Sequence, residues 1–276
     1  MALRRFGALL LFSCGLACGD PQTDRALTNS AVAEPLPAQE PPTELPPEVA
    51  DLLERARSGD PAAQVELADL YESGVGLRDS DAEAVAWYRK AADQGYLEAQ
   101  YNLGVMLFLG RPSPADTASG IVWIRKAAEA GHAEAQYNLA VLYSMGRGVP
   151  ADRELSIEWF QRAAEQGHAP AQLGLGARYA SDFLGAPDHA KAAQWFRQSA
   201  ESGLSAGQWR WGVALSEGNG VPRDDVEAYY WLNLSGATQS RANRAIIERV
   251  GARLSEEERI QVRLRMVEWT AQQLEE

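Results

Sequence analysis

The residues of this chain whose types could do chemistry are three histidines, a set of aspartates and a set of tryptophans. His132 and His168 stand 36 residues apart, each directly after a glycine, and His189 opens a later segment. Zinc ligands sit about 2 Å from their metal. Equivalent points on stacked helical units lie on the order of 10 Å apart, so His132 and His168 should not share an ion. His189 has no cysteine or second histidine near it in sequence. Asp116, Asp152, Asp188 and Asp224 could act as acids or bases. Each of them, like Ser80, directly precedes a helical stretch, where a short acceptor satisfies the free N–H groups of the first turn. Trp87, Trp123, Trp159, Trp195 and Trp231 could stack on a flat ligand, but their constant place on an apolar stripe points to core packing. The Gly-x-Gly loops at 74, 146 and 218 lack a preceding strand and a following Lys-Ser or Lys-Thr, which makes them helix terminators. No serine sits in a Gly-x-Ser-x-Gly turn. The expectation is a protein with no catalytic residue, no cofactor and no metal.

These residues share a period, and the period dictates the elements that position them. Gly59, Gly95, Gly131, Gly167 and Gly203 recur every 36 residues, as do Gln64, Gln100, Gln136, Gln172 and Gln208. Each unit reads as two helices. In the third, Gln136, Leu139, Ala140 and Tyr143 follow the i, i+3, i+4, i+7 spacing of one helical face, and Ser156, Trp159, Phe160 and Ala163 repeat it. Ala68, Gly104, Ala140, Gly176 and Gly212 keep the contact between the paired helices small. The units are 59–94, 95–130, 131–166, 167–202 and 203–238. The fourth replaces its glycine turn with Ser181 to Gly185 and should turn differently. Val49, Leu52, Leu53 and Ala56 mark a capping helix within 48–58. Residues 239–276 supply two more, the second opened by a Ser255/Glu258 capping box and carrying Ile260, Leu264, Val267, Ala271 and Leu274 on one face. The expected fold is all-α, an α-solenoid of five helix-turn-helix repeats with helical caps, thirteen helices in all and no strand.

At 276 residues and 46% hydrophobic the chain can build a sizeable core. A net charge of -12 and the lack of a basic run argue against nucleic acid as a partner. Both cysteines, Cys14 and Cys18, lie near the start. Residues 1–17 read as a signal peptide: Arg4 and Arg5, then a mostly apolar stretch from Phe6 to Ala17, too short to span a bilayer. Gly15-Leu16-Ala17-Cys18 resembles a bacterial lipoprotein signal, which makes Cys18 the expected lipidated residue. Cys14 after Leu11-Phe12-Ser13 is the alternative, and plain secretion another. Residues 18–47 hold seven of the fourteen prolines and read as a disordered tether. The expected location is the cell envelope, as a periplasm-facing membrane lipoprotein, with a secreted or soluble periplasmic form as the alternative.

Gly131-His-Ala-Glu-Ala-Gln-Tyr-Asn-Leu-Ala, Gly146-Arg-Gly-Val and Trp159-Phe-Gln-Arg-Ala-Ala resemble Sel-1-like repeats, the 36-residue relatives of tetratricopeptide repeats. The resemblance covers about residues 48 to 274. It implies a scaffold for protein–protein interaction, with the first helix of each unit lining a concave, peptide-binding surface. Asn102, Val105 and Leu109 in the second unit, and Asn138, Val141 and Met145 in the third, lie opposite the core stripe, and Arg210 and Val213 continue the row. The six residues of the second and third units, Asn102, Val105, Leu109, Asn138, Val141 and Met145, are the expected protein-binding row, for a protein or peptide segment; superhelical packing that buries them is the competing explanation. The rival function is a cell-wall enzyme or a β-lactam or peptidoglycan-fragment binder. The repeats lack the cysteine pairs of the branch linked to β-lactam binding, so that activity is not carried over.

Overall fold

The computed structural model describes residues 46–111 and 114–275. Every repeat carries a stripe of small and apolar residues on each of two helical stretches, and each folds into a helix pair. The first pair is α2 (Pro61–Ser73) and α3 (Asp81–Asp93), preceded by α1 (Pro47–Arg57). Next come α4 (Leu97–Leu109) with α5 (Thr117–Glu129), and α6 (Ala133–Met145) with α7 (Arg153–Glu165). The fourth pair is α8 (Ala169–Tyr179) and α9 (His189–Glu201), and the fifth α10 (Ser205–Glu217) and α11 (Asp225–Leu234). The chain closes with α12 (Arg241–Gly251) and α13 (Glu256–Glu275). Among the described residues there are thirteen α-helices and no strand, and the fold is an all-α solenoid. The helices form two compact units, one ending at Gly120 and one beginning at Ile121.

The register of caps follows the sequence closely. Ser80 accepts from the amide of Glu83, Asp116 from Ser119, Asp152 from Leu155, Asp188 from Lys191, and Asp224 from Val226 and Glu227. The amide of Glu258 donates to Ser255 Oγ at 3.2 Å while the Ser255 amide donates to Glu258 Oε2 at 2.8 Å, a reciprocal cap on α13. The first helices of the repeats mostly end on a glycine in the left-handed conformation, as at Gly74, Gly110, Gly146 and Gly218. Asp182 holds that register in the fourth repeat, and the chain there makes a 3-10 turn over Asp182–Leu184 instead.

Small residues set the distance between paired helices. A Cβ on Gly176 would stand 2.6 Å from the Phe196 ring, and one on Gly212 would stand 2.8 Å from Leu232. In the third repeat Ser156, fully buried, uses the same close approach to donate from Oγ to the Ala140 carbonyl at 2.8 Å.

The repeated glutamine is a clip. Its Nε2 donates to a carbonyl eight residues earlier, from Gln64 to Ala56, Gln100 to Ala92, Gln136 to Ala128 and Gln172 to Ala164. Its Oε1 then accepts from a side chain thirty residues later: Gln94 onto Gln64, Gln166 onto Gln136, Ser202 onto Gln172. A buried amide satisfied at both ends stabilises, whereas an orphaned end costs about 1–3 kcal/mol. Gln100 Oε1 is buried without a hydrogen-bond partner among the described residues, and the register position thirty residues on is Ala130, which has no polar side chain.

Trp87, Trp159 and Trp231 are buried, and Trp123 and Trp195 half-buried. Where an indole keeps an open face, a cation three residues on covers it: Lys90 over Trp87, Lys126 over Trp123 and Arg162 over Trp159. α13 packs on the fifth repeat through Val262, Met266 and Trp269, whose ring meets Trp231 edge-on at 5.9 Å. The stripe of Ile260, Leu264 and Val267 faces outward, and all three side chains are exposed.

Candidate functional site

The expected binding row falls on the first helices of the second and third repeats. On α4, Val105 is buried at 6% exposure, Asn102 is half-buried and Leu109 is 40% exposed. On α6, Asn138 is buried at 1%, Val141 is half-buried and Met145 is 56% exposed. The surface part of each trio is therefore its C-terminal apolar residue, with one half-buried residue beside it. Val105 and Asn138 lie below the surface. On α10, Arg210 is exposed and Val213 half-buried.

Within the second compact unit, side chains tie α6 to α8. His168 Nε2 meets Glu134 Oε2 at 2.7 Å, and the Tyr137 ring lies 4.9 Å from the His168 ring. Tyr137 also meets Phe160 edge-on at 5.7 Å, and burial pushes its phenol pKa up. His132 and His168 serve as helix N-caps, each accepting through Nδ1 from the amide three residues on, Ala135 and Ala171. That bond places the neutral proton of His168 on Nε2, facing Glu134. Among the described residues no group of three or more His, Cys, Asp or Glu could hold a metal ion.

Sequence reasoning missed Arg178. Leu70, Met106, Leu142 and Ala214 occupy its register in the other repeats, so the exchange of an apolar residue for arginine was the available signal. Its Nη1 donates to the Gly174 carbonyl and its Nη2 to Ser144 Oγ, both at 2.9 Å, while the guanidinium lies 3.9 Å from the Phe160 ring centre. Phe183, from the altered fourth turn, stands 5.4 Å from the same group. Gly174 stands where α4 and α6 carry Asn102 and Asn138, and a Cβ there would lie 3.0 Å from the Phe160 ring and 3.4 Å from Nη1, so the glycine leaves room for the arginine on the ring. Nε is enclosed and has no acceptor among the described residues. Burial pulls the guanidinium pKa down, to about 10, so it remains a cation at neutral pH.

In the first compact unit, Arg111 binds Asp81 through Nε at 2.9 Å and through Nη2, and Glu72 through Nη1 at 2.9 Å. The Tyr88 hydroxyl donates to Asp69 and to Glu72 Oε2, and burial first, then these carboxylates, push its pKa well above the ordinary phenol value. A cavity of about 280 Å³ in the second unit is floored by Trp211, Leu215 and Trp231. Its charged rim is already paired, Arg197 with Glu201 and Arg265 with Glu227, so it presents fixed ion pairs and not an acid–base couple.

The Sel1 repeat sequence profile matches residues 61–96, 97–132, 133–168, 169–204 and 205–237. The chain belongs to the Sel1 repeat family. Sel1 repeat proteins are in general protein-interaction scaffolds, and the profile starts each repeat two residues after the phase set by the glycines. A crystal structure of a Sel1 repeat protein from Oxalobacter formigenes is similar to this chain at 28% identity and a TM-score of 0.62, covering 71% of this chain and 86% of that one. The structure of c5321, a protective antigen present in uropathogenic Escherichia coli strains displaying an SLR fold, is 28% identical with a TM-score of 0.50. That alignment covers 80% of this chain and 56% of c5321. No curated protein sequence matches the chain.

Proposed function

We propose that this Sel1 repeat protein is a non-enzymatic scaffold that holds an extended segment of a partner protein against the first helices of its repeats. The reading rests on Leu109 in the first compact unit and Met145 in the second, each taken on its own helix. They occupy one register in consecutive repeats, end their helices, and are exposed apolar side chains on a family scaffold that binds proteins. Half-buried Asn102 and Val141 beside them offer an amide for a peptide backbone and further apolar surface. Met suits such a role, being flexible and polarizable. The scaffold is tethered in the bacterial envelope through a lipid on Cys18, a residue outside the described ones; no described helix is long and apolar enough to cross a membrane.

The test is capture of cross-linked partners from envelope extract by the wild-type chain and by Met145→Glu and Leu109→Glu. Both residues are surface positions, where a substitution shifts stability by no more than about 0.5 kcal/mol. Loss of the same captured partner at unchanged thermal stability supports the reading, and unaltered capture by both variants ends it. Val141→Glu should cost more stability than Met145→Glu, because half of its carboxylate surroundings would be protein. For the tether, Cys18→Ser should release the protein from membranes while Cys14→Ser leaves it bound, and an unmodified Cys18 on the mature protein would overturn this part.

A further inference from the structure

α13 carries two apolar faces, and the fold uses one. Val262, Met266 and Trp269 pack inward, and Arg265 on their flank pairs with Glu227 and lies 4.0 Å from the Tyr230 ring centre. On the opposite side Ile260, Leu264 and Val267 are 42%, 54% and 69% exposed, and Ala271 is exposed. Spacings of four, three and four residues make these a seam of period 3.5, and the sequence continues it to Leu274. A stripe of that period fits a partner helix that crosses at a shallow angle, as in a coiled coil.

The charges beside the seam select the partner. Arg263 precedes Leu264 and Glu268 follows Val267, and both are exposed. In a parallel, in-register pair of identical helices, each such residue meets the one five positions on in its mate. Arg263 of one chain then faces Glu268 of the other, twice by symmetry. Antiparallel registers set Arg263 against another arginine or an uncharged residue, and Glu268 against Gln261 or another glutamate. We propose that the outer face of α13 is a dimer interface, on which a second copy of this chain docks its own α13 in parallel and in register. A seam of four or five small apolar side chains buries less than a standard interface of about 1,600 Å² in total, so the dimer is weak, on the order of micromolar or above.

Sedimentation equilibrium tests this on the full chain with Cys14 and Cys18 changed to serine, so that neither an acyl chain nor a disulfide drives association. The apparent mass should rise from monomer toward dimer as concentration climbs from about 1 to several hundred µM. Leu264→Glu should hold it at the monomer mass across that range, with unchanged helicity and melting temperature, because Leu264 is 54% exposed. Arg263→Glu and Glu268→Arg should each weaken dimerisation several-fold, and the double exchange should restore it. A chain that stays monomeric throughout overturns the inference, including one whose α13 instead binds lipid vesicles. A dimer that survives Leu264→Glu, or a double exchange that fails to restore it, overturns it as well. None of these outcomes touches the reading of the first-helix row.

Discussion

Arg111 and Arg178 are both half-buried guanidinium groups, one in each compact unit, and their surroundings differ in kind. Arg111 lies among carboxylates, with Asp81 on two of its nitrogens and Glu72 on a third. Arg178 has only neutral acceptors, the Gly174 carbonyl and the Ser144 hydroxyl, and the faces of Phe160 and Phe183. The pKa values move in opposite directions: the Asp81 hydrogen bond raises that of Arg111, and burial lowers that of Arg178. Ion pairs at a partly exposed site are weakened by salt, whereas ring quadrupoles and amide dipoles in a dry site are not. One repeat framework can thus hold a cation either by cancelling its charge or by leaving the charge standing on aromatic faces.

The largest effect that tests this contrast is expected at Phe160, which is 1% exposed beneath Arg178. Phe160→Ala should cost about 3–5 kcal/mol in denaturant unfolding, as for other large buried aromatics. Phe160→Leu should recover most of the packing, and the deficit that persists measures the ring under the cation. A smaller loss, about 1–2 kcal/mol, is expected for Tyr88→Phe, which removes a hydroxyl donating to two carboxylates. Equal losses for Tyr88→Phe and Phe160→Leu would erase the distinction between the units at this register.

The arginines themselves come next. Arg111→Met should cost about 1 kcal/mol, since the Arg111 side chain is 37% exposed and its loss leaves Glu72 and Asp81 without their shared cation. Arg178→Met should be close to neutral, within about 1 kcal/mol of wild type, because an apolar chain of similar length replaces a desolvated charge. Raising NaCl should shrink the first difference and leave the second unchanged. The reverse salt dependence would sink the comparison.

The smallest effect belongs to the caps, where the two units should behave alike. The pKa of Asp116 is lowered by its bonds to Ser119, side chain first, and that of Asp188 by the backbone amide of Lys191. A carboxyl whose folded pKa is depressed adds stability above its unfolded pKa and loses it as pH falls through the folded value. Melting temperature should therefore drop on acidification below the ordinary carboxylate range. Asp116→Asn and Asp188→Asn should each flatten part of that drop while keeping a capping acceptor. An acid limb identical in all three proteins would show that these caps do not contribute to it.

The helices, their caps and their turns were legible in the sequence because each is decided within a few residues, as Asp152 is by Leu155. For the row, the sequence gives spacing but not burial. Helical spacing places Val105 and Asn138 opposite the core stripe, yet both are buried. Arg178 was hidden because its partners lie 34 residues back at Ser144, 18 back at Phe160 and five ahead at Phe183, on separate elements. α13 posed a different difficulty. Ile260, Leu264 and Val267 form as good a stripe as Val262, Met266 and Trp269, and the contacts that turn the second stripe inward, Trp269 on Trp231 and Arg265 on Glu227, join residues 38 apart in sequence.

The glutamine clips carry a consequence for how such a chain can change over generations. Each clip spans fixed offsets, eight residues back and thirty residues on. A one-residue insertion between Gln136 and Gln166 would rotate every following side chain on its helix by about 100° and pull the donor out of reach. Deleting or duplicating 36 residues as a block leaves both offsets intact and rejoins each amide to the equivalent register position. The heritable unit of this molecule is then the whole repeat, so its length can grow or shrink in steps of 36 while point insertions within a helix are purged.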